Sequence, residues 1–497
     1  MKKINFEKLF IFELANNHQG SVEHGKNIIK EMGKIAKKYS LNAAVKLQYR
    51  QLDTFIHPDY RNDKNAKHIS RFLSTELSKD NFFELVQEIK KNDMLTMCTP
   101  FDEESVDIIL EHKIEIIKIA SCSADDWPLL EKIVKTDKPI IASTGGLNIS
   151  EIDNLHSFLE HRKANFSILH CVGIYPSPNE TLNLNFIDKL IRRYPNTTIG
   201  YSGHESPENI DVVKVAISKG AKIFERHVGL PTSEITLNGY SMNPEETENW
   251  IKSANIAYQI LGSDKVITVE EENSLLSLKR GVFSKKPIKK GELIKDEDVF
   301  FAMPCKDGQL TSSEFGKLRS SFYATKDYIK NEAIFEKTEL DDYHYIRNII
   351  HEAKGMLSEA NIVLNNLSQI ELSHHYGINK FREKGILIVN LINREYCKKI
   401  IVIFPGQHHP EQFHLKKEET FHVLHGKLGI CLNGINNDIS KSDIVTIDRG
   451  VKHSFWSDSG AIIEEISTTH YRDDSFYTDP VIAEQDPMSR KTIIERL

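Results

Sequence analysis

The chain has 497 residues, of which 40% are hydrophobic and 27% charged, and its formal net charge is −7. Because this length exceeds what one hydrophobic core serves, we expect roughly two to four domains. Charges of both signs are interspersed and the apolar runs have strand length, so neither nucleic-acid binding nor a membrane span is indicated.

The N-terminus and the cysteines favour a cytoplasmic protein. Glu13 and Asn16 interrupt the apolar run behind the basic first residues, which argues against a secretory signal. The six cysteines have no paired spacing, so we expect reduced thiols rather than disulfides.

Short apolar runs alternate with helical patterns from residue 9 to residue 261. Strict alternation of this kind is typical of an α/β fold in which eight parallel strands close into a (β/α)8 TIM barrel, predicted here for residues 1–263. The polar segment 49–77 is expected to form a loop over the barrel mouth. The strands are predicted at 9–15, 42–48, 94–98, 114–120, 139–142, 166–170, 199–204 and 223–227, and helices among others at 22–38, 81–92 and 245–261.

The carboxyl ends of the strands in such a barrel meet on one face, so polar residues that end the strands are expected to lie together. Lysines and hydroxyls in this set suit a phosphate and a carboxylate, and two histidines can share a divalent ion whose open positions take substrate. Alternatively, the lysines reach solvent and the histidines are unrelated. The set is Glu13, Asn16, Lys46, Gln48, Thr99, Lys118, Ser121, Ser143, Tyr175, Ser202, His204 and His227.

Ten short motifs resemble the N-acetylneuraminate (sialic acid) synthase family, in the family's order. They lie at 12–20, 45–48, 98–101, 117–121, 141–145, 169–171, 175–178, 200–204, 225–227 and 241–244, and the resemblance extends to Asp341. The resemblance implies that phosphoenolpyruvate condenses with an open-chain aldose to give a 2-keto-3-deoxy sugar acid and phosphate.

The resemblance also implies roles for the residues at the strand ends. Phosphoenolpyruvate would be held by Lys46, Thr99, Lys118, Ser121, Ser143 and Ser202. His204 and His227 would hold a divalent ion, typically manganese, which activates the aldehyde. Glu13 is the candidate acid–base carboxylate, Lys46 is expected to assist the chemistry, and Asn16, Gln48 and Tyr175 are expected to contact the acceptor sugar.

Four positions depart from the family pattern, and all concern the acceptor. Ser123 stands where the family has glutamate and Gly173 where it has asparagine, and the stretch 237–239, beginning with Leu237, lacks an expected aspartate. Met303 replaces an arginine that reads an N-acetyl group, unless Arg280 or Lys306 takes its place. An apolar side chain donates no hydrogen bond, so we expect an acceptor other than N-acetylmannosamine.

Residues 274–341 contain small β patterns that resemble the antifreeze-like (SAF) domain of the same family. The resemblance implies that this domain caps the active site of the other subunit in a domain-swapped homodimer.

Residues 343–497 are predicted to form a helical linker and a jelly roll of many short strands. Gln412, His414, Glu419 and His453 fit two cupin motifs, with glutamine in place of the first histidine, and predict a site for Zn²⁺, Mn²⁺ or Fe²⁺. The runs 371–377 and 464–471 resemble cupin D-lyxose isomerases. His408, His409, His422 and His425 are expected at the surface or behind the ligands, and a degenerate cupin without metal is the alternative.

The leading hypothesis is therefore a phosphoenolpyruvate-dependent sugar-acid synthase with a cupin that isomerises or binds sugar. Two alternatives stay open: a cupin sugar isomerase with a non-catalytic barrel, and a sugar-binding module without catalysis.

Overall fold

The computed structural model describes residues 4–61, 68–317, 322–337, 342–364 and 368–495. The chain divides into two compact units, Met1–Val266 and Ile267–Leu497. No helix among the described residues combines the length and the apolar character that a membrane span requires.

Unit 1 is a closed barrel of eight parallel strands in sequential order, which confirms the predicted α/β barrel. Its strands are β1 (Leu9–Glu13), β2 (Asn42–Tyr49), β3 (Leu95–Pro100), β4 (Ile116–Ile119), β5 (Ile140–Ser143), β6 (Phe166–Cys171), β7 (Thr198–Gly203) and β8 (Ile223–His227). Its helices are α1 (Val22–Lys38), α2 (Leu52–Phe55), α3 (Ile69–Ser74), α4 (Lys79–Lys91), α5 (Glu103–Glu111), α6 (Trp127–Val134), α7 (Ile149–His161), α8 (Asn185–Arg193), α9 (Asp211–Ser218) and α10 (Pro244–Leu261).

Several helices begin where the sequence supplies a cap. Ser21 caps α1, and Asn148 and Asn243 open capping boxes at α7 and α10, with a glutamate three residues later in both. These side chains satisfy backbone N–H groups that the first turn of a helix leaves unpaired. The boundaries therefore fall close to those that the sequence predicts.

The segment predicted as the loop 49–77 contains the helices α2 and α3, and residues 62–67 of it lie outside the described residues. The guanidinium of Arg50, just after β2, lies 4.3 Å from the ring centroid of Phe72 in α3 and 3.7 Å from that of Phe101 after β3. Helix α3 therefore packs beside the carboxyl ends of β2 and β3. The segment predicted as a loop therefore contains two short helices, and its position over the barrel mouth stays a prediction.

Two apolar layers build the barrel. Alternate residues of the strands, such as Ile11, Met97 and Ile141, fill the interior, and the opposite faces pack against the helices. Gly200 belongs to the tight interior: a Cβ there would lie 2.5 Å from both the Ile223 carbonyl oxygen and a Leu169 methyl. The polar residues above this layer consequently have a rigid floor.

Unit 2 begins with α11 (Val269–Leu278), the antiparallel pair β9 (Gly281–Ser284) and β10 (Val299–Ala302), and α12 (Ser312–Lys317). A separate core gathers around Val282, Ile288, Val299 and Ile334. This arrangement is compatible with a small β-rich domain, whose boundary at residue 341 lies outside the described residues and stays a prediction.

The rest of unit 2 is an antiparallel, strand-rich domain behind a long helix, as the predicted jelly roll requires. Helix α13 (Asp342–Glu359) packs on one side of the sheet. Its residues Ile349, Ala353 and Leu357 belong to an apolar cluster with residues of the strands. A second cluster fills the space around Phe421 and Phe455. The strands are β11 (Gln369–Ser373), β12 (Ile386–Asn393), β13 (Tyr396–Ile403), β14 (Gln407–Phe413), β15 (Glu419–Leu432), β16 (Ile435–Ser440), β17 (Ile444–Ile447), β18 (His453–Ser457), β19 (Ala461–Thr468), β20 (Phe476–Tyr477) and β21 (Lys491–Ile494), with short helices α14 (Phe381–Lys384) and α15 (Pro480–Ala483).

Candidate active site

The strand ends of the barrel bring the predicted polar residues together. In the strand register Glu13 is opposite both Lys46 on β2 and His227 on β8, and Ser202 on β7 is opposite Glu225 on β8. Glu13, Lys46, Lys118 and Ser202 are buried although their side chains are polar. Buried polar groups need partners, so this end of the barrel is a built polar site.

A network of charges links two lysines to two carboxylates. Lys46 Nζ forms ion pairs with Glu13 and, at 2.8 Å, with Glu225 Oε1. Ser202 Oγ donates a hydrogen bond of 2.9 Å to the same Glu225 oxygen, and Lys118 Nζ lies 4.0 Å from it. Glu225 was not among the predicted site residues. The signal was available, because strand alternation puts the residue two before His227 on the same face.

The lysines differ in electrostatics. Burial by itself would lower the pKa of Lys46, but Glu13 and Glu225 outweigh it and raise that pKa above its ordinary value. Burial lowers the pKa of Lys118 to about 8, with only partial compensation by Glu225. Burial also raises the pKa of Glu13 against the opposing effect of Lys46, so this carboxyl is the group best suited to hold a proton.

An anion-binding surface adjoins these charges. Lys118 Nζ donates a hydrogen bond of 2.5 Å to Ser143 Oγ, and Ser121 Oγ accepts one of 2.9 Å from the Gly145 N–H. Thr99 Oγ1 is buried and has no hydrogen-bond partner among the described residues, and the same holds for Glu225 Oε2. The Thr99 hydroxyl can donate a hydrogen bond to an anionic ligand, whereas Glu225 Oε2 can only accept one and needs a donor or a cation.

His204 and His227 lie side by side at the ends of β7 and β8, as predicted. Their ring centroids are 5.4 Å apart, with 52° between the ring planes. His204 Nδ1 lies 3.1 Å from the Val172 carbonyl oxygen, where it donates a hydrogen bond as an N–H and leaves Nε2 free to ligate. Burial lowers the pKa of His204 to about 4 and that of His227 well below its ordinary value, so both rings are neutral, as metal ligation requires.

Two tyrosines flank the histidine pair. The Tyr175 ring centroid is 4.1 Å from that of His204, and the Tyr240 ring meets His227 edge-on at 5.0 Å. Tyr175 was predicted as an acceptor contact, whereas Tyr240 was not predicted, because it lies in a loop without a periodic pattern. The two rings form an aromatic wall beside the histidines.

The other expected acceptor contacts are less closely integrated. Gln48 Oε1 accepts a hydrogen bond of 2.9 Å from Arg50, and Asn16 is partly buried near the end of β1. Ser123 is buried, and open space surrounds the point where Gly173 would carry a Cβ. The acceptor side of the mouth therefore has fewer charged groups than the side with the lysines.

Unit 2 contains a second polar site, formed by His414, Glu419 and His453. Their ligand atoms all lie within 4.8 Å of one another, and among the described residues no other group of three such side chains does so. Gln412 Nε2 lies 3.3 Å from His453 Nε2, so the structure brings the four predicted cupin residues together. His414 Nε2 and Glu419 Oε2 are buried without a hydrogen-bond partner among the described residues, which fits a missing cation.

A cavity of about 50 Å³ adjoins this triad and contains buried charges of both signs. Lys417 forms an ion pair with Glu419 and one of 3.1 Å with Glu465, and Lys399 lies 3.1 Å from Glu465. His409 also lines the cavity, stacked on Phe455 at 4.5 Å. His409 is buried, which excludes the surface and leaves the other position expected for it, behind the ligands. Strand alternation from Gln407 could have predicted this.

An eight-stranded barrel with a buried polar site at the carboxyl ends of its strands defines a (β/α)8-barrel enzyme. Residues 34–266 match the NeuB family. The uncharacterized protein MJ1065 of Methanocaldococcus jannaschii is 34% identical over 297 residues, which are 59% of this chain and 84% of that protein. The chain belongs to the NeuB family, and its resemblance to the sialic acid synthases is confirmed.

Two further matches concern named proteins. The N,N'-diacetyllegionaminic acid synthase of Campylobacter jejuni is 28% identical over 66% of this chain and 99% of its own length. A solved structure from Chromobacterium violaceum, whose name relates it to spore coat polysaccharide biosynthesis, is 43% identical over 66% of this chain and 98% of that chain, with a TM-score of 0.63. Both matches leave about a third of this chain uncovered.

Proposed function

We propose that the protein condenses phosphoenolpyruvate with an open-chain aldose to form a 2-keto-3-deoxy sugar acid and phosphate. The observation that carries the proposal is the pair of buried lysines, Lys46 and Lys118, next to two neutral histidines at one barrel mouth. The sugar acid synthases among the relatives support this reaction class.

The anionic substrate would bind on the lysine side. Lys46 and Lys118 would neutralise its phosphate and carboxylate, while Thr99, Ser121, Ser143 and Ser202 would supply directional hydrogen bonds. The unpartnered Thr99 hydroxyl supports this assignment. The aldose would lie toward Asn16, Gln48 and Tyr175.

His204 and His227 would hold a divalent cation, with Mn²⁺ as our proposal. The cation would supply Lewis-acid polarisation of the aldehyde oxygen. The two neutral imidazoles fit this group, because each offers a nitrogen lone pair and the protein leaves the remaining positions free.

Glu13 would move the proton. When C3 of the enol forms its bond to the aldehyde carbon, the aldehyde oxygen takes the proton of the Glu13 carboxyl and becomes a hydroxyl. Water then adds to C2, and its proton returns to the Glu13 carboxylate. Collapse of the C2 adduct breaks the C–O bond, and the C2 hydroxyl proton passes to the departing phosphate, leaving the 2-keto group.

A direct test uses phosphoenolpyruvate with ¹⁸O in the bridging C–O–P position, Mn²⁺ and a panel of aldoses. We expect phosphate release that depends on an aldose and carries the label, because the C–O bond breaks. Release without an aldose, or unlabelled phosphate, would contradict the condensation. Lys118→Met serves as the control with reduced activity.

The acceptor is proposed to differ from N-acetylmannosamine because Met303, Ser123 and the stretch 237–239 remove polar groups that would grip it. Residues 274–341 are proposed as an SAF domain that caps the partner's barrel in a homodimer. Met303→Arg should then shift the acceptor preference toward N-acetylated sugars, measured as a ratio of kcat/KM values for two acceptors.

A second activity is proposed for the domain of residues 343–497, an aldose–ketose isomerisation at a cupin metal site that uses Zn²⁺, Mn²⁺ or Fe²⁺. The observation that favours it is the convergence of His414, Glu419 and His453 beside a cavity. The test is ketose formation from aldoses by the metal-loaded full chain, with His453→Ala as the control. Equal rates for both proteins would leave only a sugar-binding role.

A further inference from the structure

The outer faces of β7 and β8 hold a buried ion pair directly behind the histidine pair. Strand alternation turns Ser202, Glu225 and His227 into the barrel and Tyr201 and Arg226 away from it. Arg226 is 1% exposed and Glu205, which follows His204, is 1% exposed. The proposed reaction uses neither residue.

The Arg226 guanidinium donates hydrogen bonds to both the side chain and the backbone of Glu205. Nη1 donates a hydrogen bond of 2.6 Å to Glu205 Oε1, and Nη2 donates one of 2.8 Å to the Glu205 carbonyl oxygen. Tyr201 OH donates one of 3.0 Å to Glu205 Oε2. Because Arg226 immediately precedes His227 and Glu205 immediately follows His204, these hydrogen bonds link the two backbone segments that carry the histidine rings.

Gly203 makes room for this contact. A Cβ at Gly203 would lie 2.4 Å from Glu205 Oε2 and 2.8 Å from the Tyr201 ring. The Glu205 carboxylate therefore lies over the Gly203 backbone, in a position that a side chain at residue 203 would obstruct. The chain after β7 is thereby held against β8, where Arg226 is the register partner of Gly203.

A contribution to folding stability does not by itself explain why a buried ion pair stands at this position. Burying a charged pair removes both groups from water, and well-packed apolar residues often serve stability equally well. What the pair supplies is a fixed, bidentate geometry, which an arginine fork provides and an apolar contact does not. Groups that orient metal ligands from behind commonly affect metal affinity by about 10- to 100-fold.

We propose that Arg226 and Glu205 are positioning residues that set the separation of His204 and His227 for a divalent cation. The inference rests on the proposed metal site of the barrel. It adds a specific role for a buried ion pair on the far side of the barrel wall, which touches neither the cation nor the substrates.

The test measures Mn²⁺ binding to the full chain by electron paramagnetic resonance. The barrel ion is identified as the ion that wild type binds and His227→Ala does not. This comparison distinguishes it from an ion bound in unit 2. Glu205→Gln and Arg226→Lys should weaken that ion about 10- to 100-fold. Phosphoenolpyruvate binding without metal should stay within about twofold, since the lysines are untouched. Asp153→Asn, which breaks the Arg193–Asp153 pair between α7 and α8, is the matched control and should leave Mn²⁺ affinity unchanged.

The double variant Glu205→Leu/Arg226→Met covers the case in which a single substitution prevents folding. It removes both charges together, and we expect a cooperative melt with weakened Mn²⁺ binding. A folded variant of either kind that binds the barrel ion as tightly as wild type overturns the inference and leaves the proposed function intact. Equal Mn²⁺ binding by wild type and His227→Ala overturns the barrel metal site, and the inference falls with it.

Discussion

The two candidate metal sites of this chain handle their carboxylates in opposite ways. In the barrel, Glu225 pairs with Lys46 and accepts a hydrogen bond from Ser202, and two neutral histidine rings lie 5.4 Å apart at the ends of β7 and β8. In unit 2, Glu419 faces two histidines and also an ammonium group, that of Lys417. Under the proposed function, the barrel would use its lysines for an anion and its histidines for a cation, whereas the site in unit 2 has histidines, a carboxylate and an ammonium group around one point.

The difference indicates how many ligands each site serves. Separate halves suit a reaction in which an anionic substrate and a carbonyl substrate must meet, because each half takes one of them. A merged site suits one ligand bound to the metal, with Lys417 and Glu465 near its polar groups. The predictions below test this division in order of decreasing effect.

The largest effect is expected for His227→Ala. Loss of one of two imidazoles should remove the barrel ion and lower aldose-dependent phosphate release by about 10³-fold. The same variant should retain its metal in unit 2, which metal analysis after gel filtration would detect. Phosphate release at the wild-type rate would refute the role of the histidine pair.

Lys118→Met should act on the other half of the barrel. It removes a buried positive charge beside Ser143, and we expect kcat/KM for phosphoenolpyruvate to fall by about 10²-fold. Mn²⁺ affinity should stay close to wild type, as titration by electron paramagnetic resonance would report. A parallel loss of Mn²⁺ would show that the two halves are not separate.

The pH dependence should report the same lysine. Because burial holds the pKa of Lys118 at about 8, the ammonium form is present below this pH and is lost above it. The value of kcat/KM for phosphoenolpyruvate should therefore fall as pH rises above about 8, approaching about tenfold per pH unit. Lys118→Arg keeps its charge and should move this decline to higher pH; an unchanged profile would assign the titration to another group.

The smallest effect is expected at Gln412. Gln412→Leu removes a neutral amide near His453 and should weaken metal binding in unit 2 by about tenfold, without any change in phosphate release. Glu419→Gln is the stronger comparison variant, since it removes the only carboxylate of the triad. Equal metal affinity in Gln412→Leu and wild type would place the amide outside the coordination sphere.

Much of the barrel site could be predicted because its residues end strands. A strand end is visible as the point where an apolar run meets a polar residue, and the closed barrel collects all such ends on one face. Glu13, Lys46, Lys118, His204 and His227 were found in this way. Glu225 and Tyr240 were not, since Glu225 lies before the strand end, where only alternation from His227 reveals it, and Tyr240 lies in a loop with no period.

The site in unit 2 shows the same limit. Strand alternation predicts a common face for Gln412 and His414, and the structure brings His414 together with Glu419 and His453 from later strands. Lys417 lies two residues before Glu419, so the sequence already places the two residues close together, but only the structure shows that its ammonium group pairs with both Glu419 and Glu465. For His409 the sequence left open the surface and a position behind the ligands, and the folded chain decides between them by stacking its ring on Phe455.

By itself the sequence determined the order of strands and helices, the barrel and the residue types at its mouth, because period and chain direction are local properties. The tertiary structure decided which charges pair with which. Distances between residues far apart in the chain, such as Lys46 with Glu225 or Arg226 with Glu205, depend on how the strands register and tilt. Burial then sets the protonation of these groups, and burial exists only in the folded chain.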